Sequence, residues 1–315
     1  MHASVILTVY EQKGYLPYLI ECLKRQDVQE SWELIVCDDG SASDMLEPLK
    51  GFSRHVNLDL RYLWQTDRGF RAGKARNGGI RCANGKVLIF LDGDSLIPRD
   101  FIRRHLHAHD GSPRIFCGSR NYLFTQRYGE KVIREWLEDD QRCNLFASTH
   151  LPTASFQRSR IAGSAPWSAL IGCNFSVLHH PAVHFDERFV GWGLEDYELG
   201  LRLVTRAGFT LHPLLDNQVC HIEESNPAQF HPFRPKTHSE IINYLRNLNH
   251  ICQNYPELPH DDLWQTLHGI EYCGDSQSWK RRNARHATIA ELTATIERAR
   301  QWMQSPRLAT AHAAG

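Results

Sequence analysis

The sequence predicts an α/β protein with a mostly parallel central sheet flanked by helices. Two observations carry this expectation: in the first third of the chain short strands alternate with helical segments, and those strands are apolar on both faces rather than on one. A third is that three of the strands run into polar residues at their carboxyl ends, the edge where such sheets collect ligands.

Residues 4–10 form an apolar, β-branched run, and 15–26 follow with Leu16, Leu19, Ile20 and Leu23 at helical spacing. A second strand is predicted over 32–41, a third over 60–65, a helix over 71–84, and a fourth strand over 86–94. The polar ends are Tyr10-Glu11, Asp38-Asp39 and Asp92-Gly93-Asp94. Between about 110 and 165 periodicity weakens, apart from a helix over 130–142, and 148–166 reads as loop. Order returns at 167–179, a helix spans 193–208 and ends at Gly208, and 209–225 supplies one or two strands. After Pro235 the pattern is helical, over 238–255 and 289–303, with an Ala-rich end expected to fray. The expected division is a catalytic domain over 1–235 and a C-terminal helical extension over 236–315.

Composition narrows the function classes. Lys+Arg and Asp+Glu both number 36, so no charge excess points to nucleic acid or to an anionic membrane. No apolar run approaches the ~20 residues of a membrane span, and the start of the chain does not read as a secretory signal. The expected compartment is the cytoplasm, with room for peripheral membrane association. Nine cysteines form no CxxC pair and mostly sit in apolar settings, as reduced core thiols would.

Three motifs carry chemistry. Asp92 and Asp94, one residue apart at a strand end, repel unless a cation or a hydrogen-bond network balances them. Mg²⁺ or Mn²⁺ would do so, because hard ions take carboxylate oxygens and complete their shell with phosphate and water. Alone, the triplet is equally an ordinary turn. In the second motif, residues 185–199, Asp186, Glu187, Glu195, Asp196 and Glu198 surround Gly191-Trp192-Gly193. Helix-start carboxylates can be simple capping chemistry. A Trp between glycines instead has the form of a lid with one flat face. Third is His221, just past a predicted strand, with His231 and His238 near enough in sequence to compete for any ligand role.

Taken in order, "SVILTVYEQ", "ELIVCDDGSASD", "DRGFRAGKARNGGIRCANGKVLIFLDGDS" and "IGCNFSVLHHPAVHFDERFVGWGLEDYELGLRLVTRAGF" resemble the family-2 inverting glycosyltransferases of the GT-A fold. The Gly-Trp-Gly-x-Glu-Asp segment resembles the galactosyltransferase and chondroitin-synthase branches, and the resemblance covers roughly residues 3–225. It implies that Thr8 and Tyr10 line a uridine pocket and that Asp39 hydrogen-bonds uracil. It also implies that Asp94 and His221 hold Mn²⁺ or Mg²⁺, while Asp92 reaches the ribose or the metal shell, with Gly93 between them. Trp192 would cover the donor, Glu195 would bind sugar hydroxyls, and Asp196 would be the catalytic base. Arg71, Lys74 and Arg76 would contact the diphosphate or uracil. Glu11 stands where the family commonly has Asn, and Ala182-Val183-His184 departs from the glycines that usually precede Phe-Asp-Glu.

The implied reaction is metal-dependent inverting transfer from a UDP-sugar to an acceptor hydroxyl, or a thiol. The alternatives are a nucleotidyltransferase, for which the loop after the first strand has only Gly14, and an inactive nucleotide-sugar-binding homologue. A small molecule, peptide or oligosaccharide is the expected acceptor. The apolar stripe of 289–303 is expected to pack on the catalytic domain or to support a homodimer.

Overall fold

A computed structural model describes residues 1–50, 52, 58–138, 158, 160–224, 235, 237–258, 260, 263–264, 266–267, 270–273, 276, 278–281 and 289–304. The chain divides into two compact units: residues 1–67, 72–186 and 196–228 form the first, and 68–71, 187–195 and 229–315 the second.

The first unit is built on an eight-stranded sheet. Its strands are β1 (Ala3–Val9), β2 (Trp32–Asp38), β3 (Asp59–Trp64), β4 (Val87–Asp92), β5 (Ser95–Leu96), β6 (Arg114–Phe124), β7 (Asn174–Leu178) and β8 (Thr210–Glu223). They lie in the order β3-β2-β1-β4-β7-β6-β8-β5. The first four are mutually parallel, and β6 with β8 is parallel. Strand β7 runs antiparallel to both neighbours, as β5 does to β8.

The β-branched, doubly apolar strands β1, β2 and β4 occupy the middle, where both faces are covered; Val5, Ile6, Leu7, Leu34, Ile35 and Leu88 to Leu91 are sealed from solvent. Helix α1 (Leu16–Lys24) starts with Pro17 in its first turn, a favoured position, and buries Leu16, Leu19, Ile20 and Leu23. Helix α2 (Ala72–Cys82) lies so close to the sheet that a Cβ at Gly79 would stand 2.6 Å from Cys37 Sγ. Phe90 and Phe175, paired across β4 and β7, stack at 4.3 Å, and Phe185 meets Phe90 edge-on. Helix α3 (Phe101–Ala108) places His105 inside a polar knot: its ring bonds Ser176 Oγ at 2.9 Å and Asn174 Oδ1 at 3.0 Å. Helices α4 (Lys131–Glu138) and α5 (Glu195–Arg206) complete the described set around this sheet.

The second unit contains α6 (His238–Asn254), a hairpin of β9 (Ile270–Cys273) and β10 (Ser278–Arg281), and α7 (Ile289–Met303). Thr237 and Glu240 cap α6 reciprocally, satisfying two of its free N–H groups. Among the described residues no helix is long and apolar enough to cross a membrane.

Several expectations change. The weakly periodic stretch 110–165 holds an eleven-residue strand, β6, whose Ser119, Arg120 and Asn121 broke the apolar pattern. The expected helix over 130–142 is described over 131–138, and most of the expected loop 148–166 and the frayed end lie outside the described residues. The tail is not wholly helical, since β9 and β10 interrupt it. Residues 209–225 supply one strand rather than two. Cys22, Cys37, Cys117, Cys173 and Cys220 are buried free thiols as expected, whereas Cys82, Cys252 and Cys273 are partly exposed; Cys143 lies outside the described residues.

Candidate active site

The site begins where β4 ends. Gly93 N–H donates to Thr8 O at 2.9 Å, holding the turn onto β1, and Ile222 N–H donates to Asp94 O at 2.7 Å. The two-residue strand β5 then pairs Ser95 with His221, which brings a histidine 127 positions downstream beside the carboxylates. His221 Nε2 stands 3.2 Å from Asp94 Oδ1, and ligand atoms of Asp92, Asp94 and His221 all lie within 4.8 Å of one another. Gly93 is required sterically: a Cβ there would come 2.7 Å from Val9 Cγ1 and nearer still to Gln12 Oε1.

This cluster fits a hard divalent ion. Asp94 Oδ1 and His221 Nδ1 are buried without a hydrogen bond, a state that costs stability unless a ligand completes it. Burial pushes the Asp94 carboxyl up, His221 opposes that shift, and Asp92 adds to it. Two carboxylates and one imidazole, each offering one atom, suit Mn²⁺ or Mg²⁺ with the remaining positions left to other oxygens.

Arg76 ties the cluster to the rest of the unit. The expectation that helical Arg and Lys are solvated fails here, because Arg76 is only 3% exposed. Its Nη2 donates to Asp92 Oδ1 at 2.9 Å, its Nε to Thr8 Oγ1 at 3.0 Å, and its guanidinium lies 5.3 Å from the Phe185 ring centroid. Phe185 is fixed in turn by Asn77, which bonds both its N–H and its carbonyl. The departure at Ala182-Val183-His184 therefore leaves Phe185 seated in the core. A Cβ at Gly172 would stand 2.9 Å from Arg76 Nη2, so this loop rests on the guanidinium. Gly172 N–H donates to Asp196 Oδ2 at 3.0 Å, and Tyr197 N–H to Oδ1 at 2.8 Å. Burial pushes the Asp196 carboxyl up, while Arg76, these two N–H groups and Arg120 pull it down.

At the end of β2, Asp38 is consumed by structure: it accepts from Gly40 N–H, Ser41 N–H and the Tyr62 hydroxyl. Asp39 is buried, and its Oδ1 accepts from Gln65 Nε2. Tyr10 is exposed, with its hydroxyl 3.3 Å from Asp67 Oδ2. Glu11, at φ 51°, accepts from Ala42 N–H at 2.6 Å and from Ser43 Oγ. Its carboxylate thus fastens the loop after β2.

The first unit therefore brings together Thr8, Asp39, Arg76, Asp92, Gly93, Asp94, Asp196 and His221, with Tyr10 at its surface and Lys74 half-buried on α2. Arg71 precedes α2 instead of lying on it, and with Trp192 and Glu195 it belongs to the second unit. There Gly191 N–H donates to Phe70 O at 2.9 Å, Gly193 O accepts from Asn247 Nδ2 at 2.7 Å, and the Trp192 ring lies 6.4 Å from Tyr244. Gly191 (φ +78°) and Gly193 (φ +97°) use the backbone freedom that glycine provides. Glu195 is buried at the start of α5. His238 accepts from Trp279 N–H within the second unit and is structurally employed; His231 lies outside the described residues.

Sequence reasoning missed Arg120 and Gln65. Arg120, on β6, has its guanidinium 5.0 Å from the Tyr122 ring centroid and Nη1 3.8 Å from Cys173 Sγ. Burial disfavours its charge, but Tyr122, Cys173, Asp92 and Asp196 more than offset that and keep it protonated. The available signal was a cation embedded among the strand-forming residues of "CGSRNYLF".

Comparison with known proteins agrees with this geometry. Residues 4–159 match the family model "Glycosyl transferase family 2". An uncharacterized glycosyltransferase of Bacillus subtilis, YfnE, is 28% identical over 85% of this chain and 74% of its own length. A validoxylamine A glucosyltransferase of Streptomyces hygroscopicus is 30% identical over 64% of this chain; the chain spans half of that protein, and less of a hyaluronan synthase and a chondroitin synthase of Pasteurella multocida. Among solved structures, S. aureus TarS 1-349 in complex with UDP-GlcNAc superposes with TM-score 0.52 at 16% identity, over 85% of this chain and 70% of that one. The mannosyltransferase PcManGT of Pyrobaculum calidifontis, with GDP-Man and Mn²⁺, gives 0.52 at 15% identity, over 99% and 73%. These likenesses establish a GT-A-like fold. Residues 4–159 form a Glycosyl transferase family 2 region, and the chain that carries it is a glycosyltransferase.

Proposed function

We propose that the protein is a metal-dependent inverting glycosyltransferase that moves a sugar from a UDP-sugar to an acceptor hydroxyl. The carrying observation is the cluster of Asp92, Asp94 and His221 at the carboxyl edge of β4, with two buried ligand atoms that make no hydrogen bond. Asp94 and His221 would hold the ion, and Asp92, already bound by Arg76, would face the ribose or the ion's outer shell. A bound divalent ion supplies Lewis-acid stabilisation of the departing diphosphate, an effect of several kcal/mol in a dry site.

The chain's own groups do the rest. Asp39, held by Gln65, offers a carboxylate acceptor to the N3–H of uracil. Asp196 takes the proton of the attacking hydroxyl as the acceptor becomes acidic in the transition state, so its pKa need not be raised far. The backbone N–H groups of Gly172 and Tyr197 fix its rotamer while leaving each oxygen a lone pair. Glu195 binds sugar hydroxyls, Trp192 covers the donor, and Arg71 contacts the diphosphate or uracil. Residues 1–235 form the catalytic domain and 236–315 an extension that selects the acceptor. The UDP-GlcNAc and Mn²⁺ complexes of the two structural neighbours support this choice of donor class and ion.

A panel of UDP-sugars incubated with Mn²⁺ tests the reading, since many transferases slowly hydrolyse their donor. Release of free UDP from one of them is expected. Pyrophosphate as the product, or no UDP from any donor, sinks it.

A further inference from the structure

One cation of the second unit lacks a partner. Arg246, on α6, is partly buried with its Nε closed off from solvent. Among the described residues nothing accepts a hydrogen bond or ion pair from it. Burial lowers its pKa, and no neighbouring charge offsets the shift. A guanidinium cannot escape by losing its proton, so an unpaired and half-desolvated one is a standing cost to the fold.

Its place on the helix gives that cost a purpose. Ile241, Tyr244, Leu245, Leu248 and Ile251 form the buried stripe of α6. Asn243, Arg246, Asn247 and His250, spaced i, i+3, i+4, i+7, share the opposite face. That face grips the segment around Trp192. A Cβ at Gly191 would stand 2.6 Å from Asn243 Cβ, Asn247 donates to Gly193 O, and Phe189 meets the His250 ring edge-on at 5.2 Å. Arg246 is thus the one member of this face with no structural partner among the described residues.

We propose that Arg246, beside the amides of Asn243 and Asn247, binds an anionic group of the acceptor, a carboxylate or a phosphate. This rests on the glycosyltransferase reading in one respect: the donor diphosphate is assigned to the cluster of the first unit, which leaves the unpaired cation of the second to the other substrate. A guanidinium fork recognises either oxyanion through paired, charge-assisted hydrogen bonds.

The test titrates the full chain with inorganic phosphate and, separately, with glucuronate. It is done in EDTA without nucleotide, at constant ionic strength made up with chloride, and followed by calorimetry and thermal melting. Wild type should bind one of the two saturably and gain melting temperature. Arg246→Gln should lose at least about tenfold in affinity while melting no lower than wild type in anion-free buffer, because it removes an unpaired charge. Arg246→Lys, which keeps the charge without the fork, should fall between them and serves if the Gln variant folds poorly. Which anion binds separates phosphate from carboxylate recognition. Equal binding by wild type and both variants, or no binding by wild type, overturns the proposal; the donor screen is independent, so failure here leaves the donor reading standing.

Discussion

Replacing Arg76 by Met keeps most of the side-chain volume and removes the guanidinium. Three contacts go with it: the ion pair to Asp92 at 2.9 Å, the hydrogen bond to Thr8 Oγ1 at 3.0 Å, and the cation over the Phe185 ring. Breaking a buried pair from one side costs about 3–5 kcal/mol. The Asp92 side chain is 24% exposed, so water reaches the stranded carboxylate and the lower end, about 3 kcal/mol, applies. The Thr8 bond adds about 1 kcal/mol, and the Met sulfur recovers most of the ring contact. The expected loss is about 4 kcal/mol, read from urea unfolding as a lower midpoint at unchanged slope. Asp92→Asn in the Arg76→Met background should cost about 2 kcal/mol less than the two single losses added together, because the pair is already broken. A loss below about 1 kcal/mol, or additive losses, would refute the claim that Arg76 is the internal counter-ion of this site.

Other outcomes follow from the same geometry. Asp196→Asn should keep UDP binding and lose turnover by about 10²–10⁴-fold, measured as UDP release with acceptor present; unchanged turnover removes Asp196 from the role of base. Gly93→Ala should destabilise by about 1–3 kcal/mol and weaken Mn²⁺ binding, since the new methyl meets Val9 and Gln12; a neutral result would mean that the turn can shift freely. Burial holds the His105 pKa down at about 3 and that of His109 at about 4, so both are neutral in the folded protein well below pH 6.5. The unfolded chain binds more protons in that window, so stability is complete above about pH 6.5 and falls as pH drops towards 3. Melting temperatures across that range should show a shallower slope for His105→Gln than for wild type, and identical slopes would contradict the assignment.

The parallel half of the fold was legible because its strands are unbroken apolar runs closed by polar residues. Helices α1, α2 and α5 showed their spacing and stops. Strand β6 was hidden because polar side chains sit inside it: Ser119 bonds Leu215 O, and Arg120 turns towards Cys173 and Tyr122. The hairpin β9–β10 is only four residues a side, although the Gly, Asp and Ser between its strands were a usable turn signal. In the candidate site the sequence displayed the carboxylates, but not what balances them. Asp94 meets His221 through a two-residue strand, and Asp92 meets Arg76 through a helix resting on the sheet. Both juxtapositions are long-range and leave no local pattern. Arg76 looked like a surface helix cation until α2 was seen to rest on the sheet at Gly79.

The most direct measurement is UDP affinity with and without Mn²⁺, by calorimetry, for wild type, Asp94→Ala and His221→Ala. A metal held by this pair predicts that Mn²⁺ tightens UDP binding to wild type at least about tenfold and has little effect on either variant. Equal UDP affinity with and without Mn²⁺ in wild type, or full Mn²⁺ dependence retained in both variants, would contradict it.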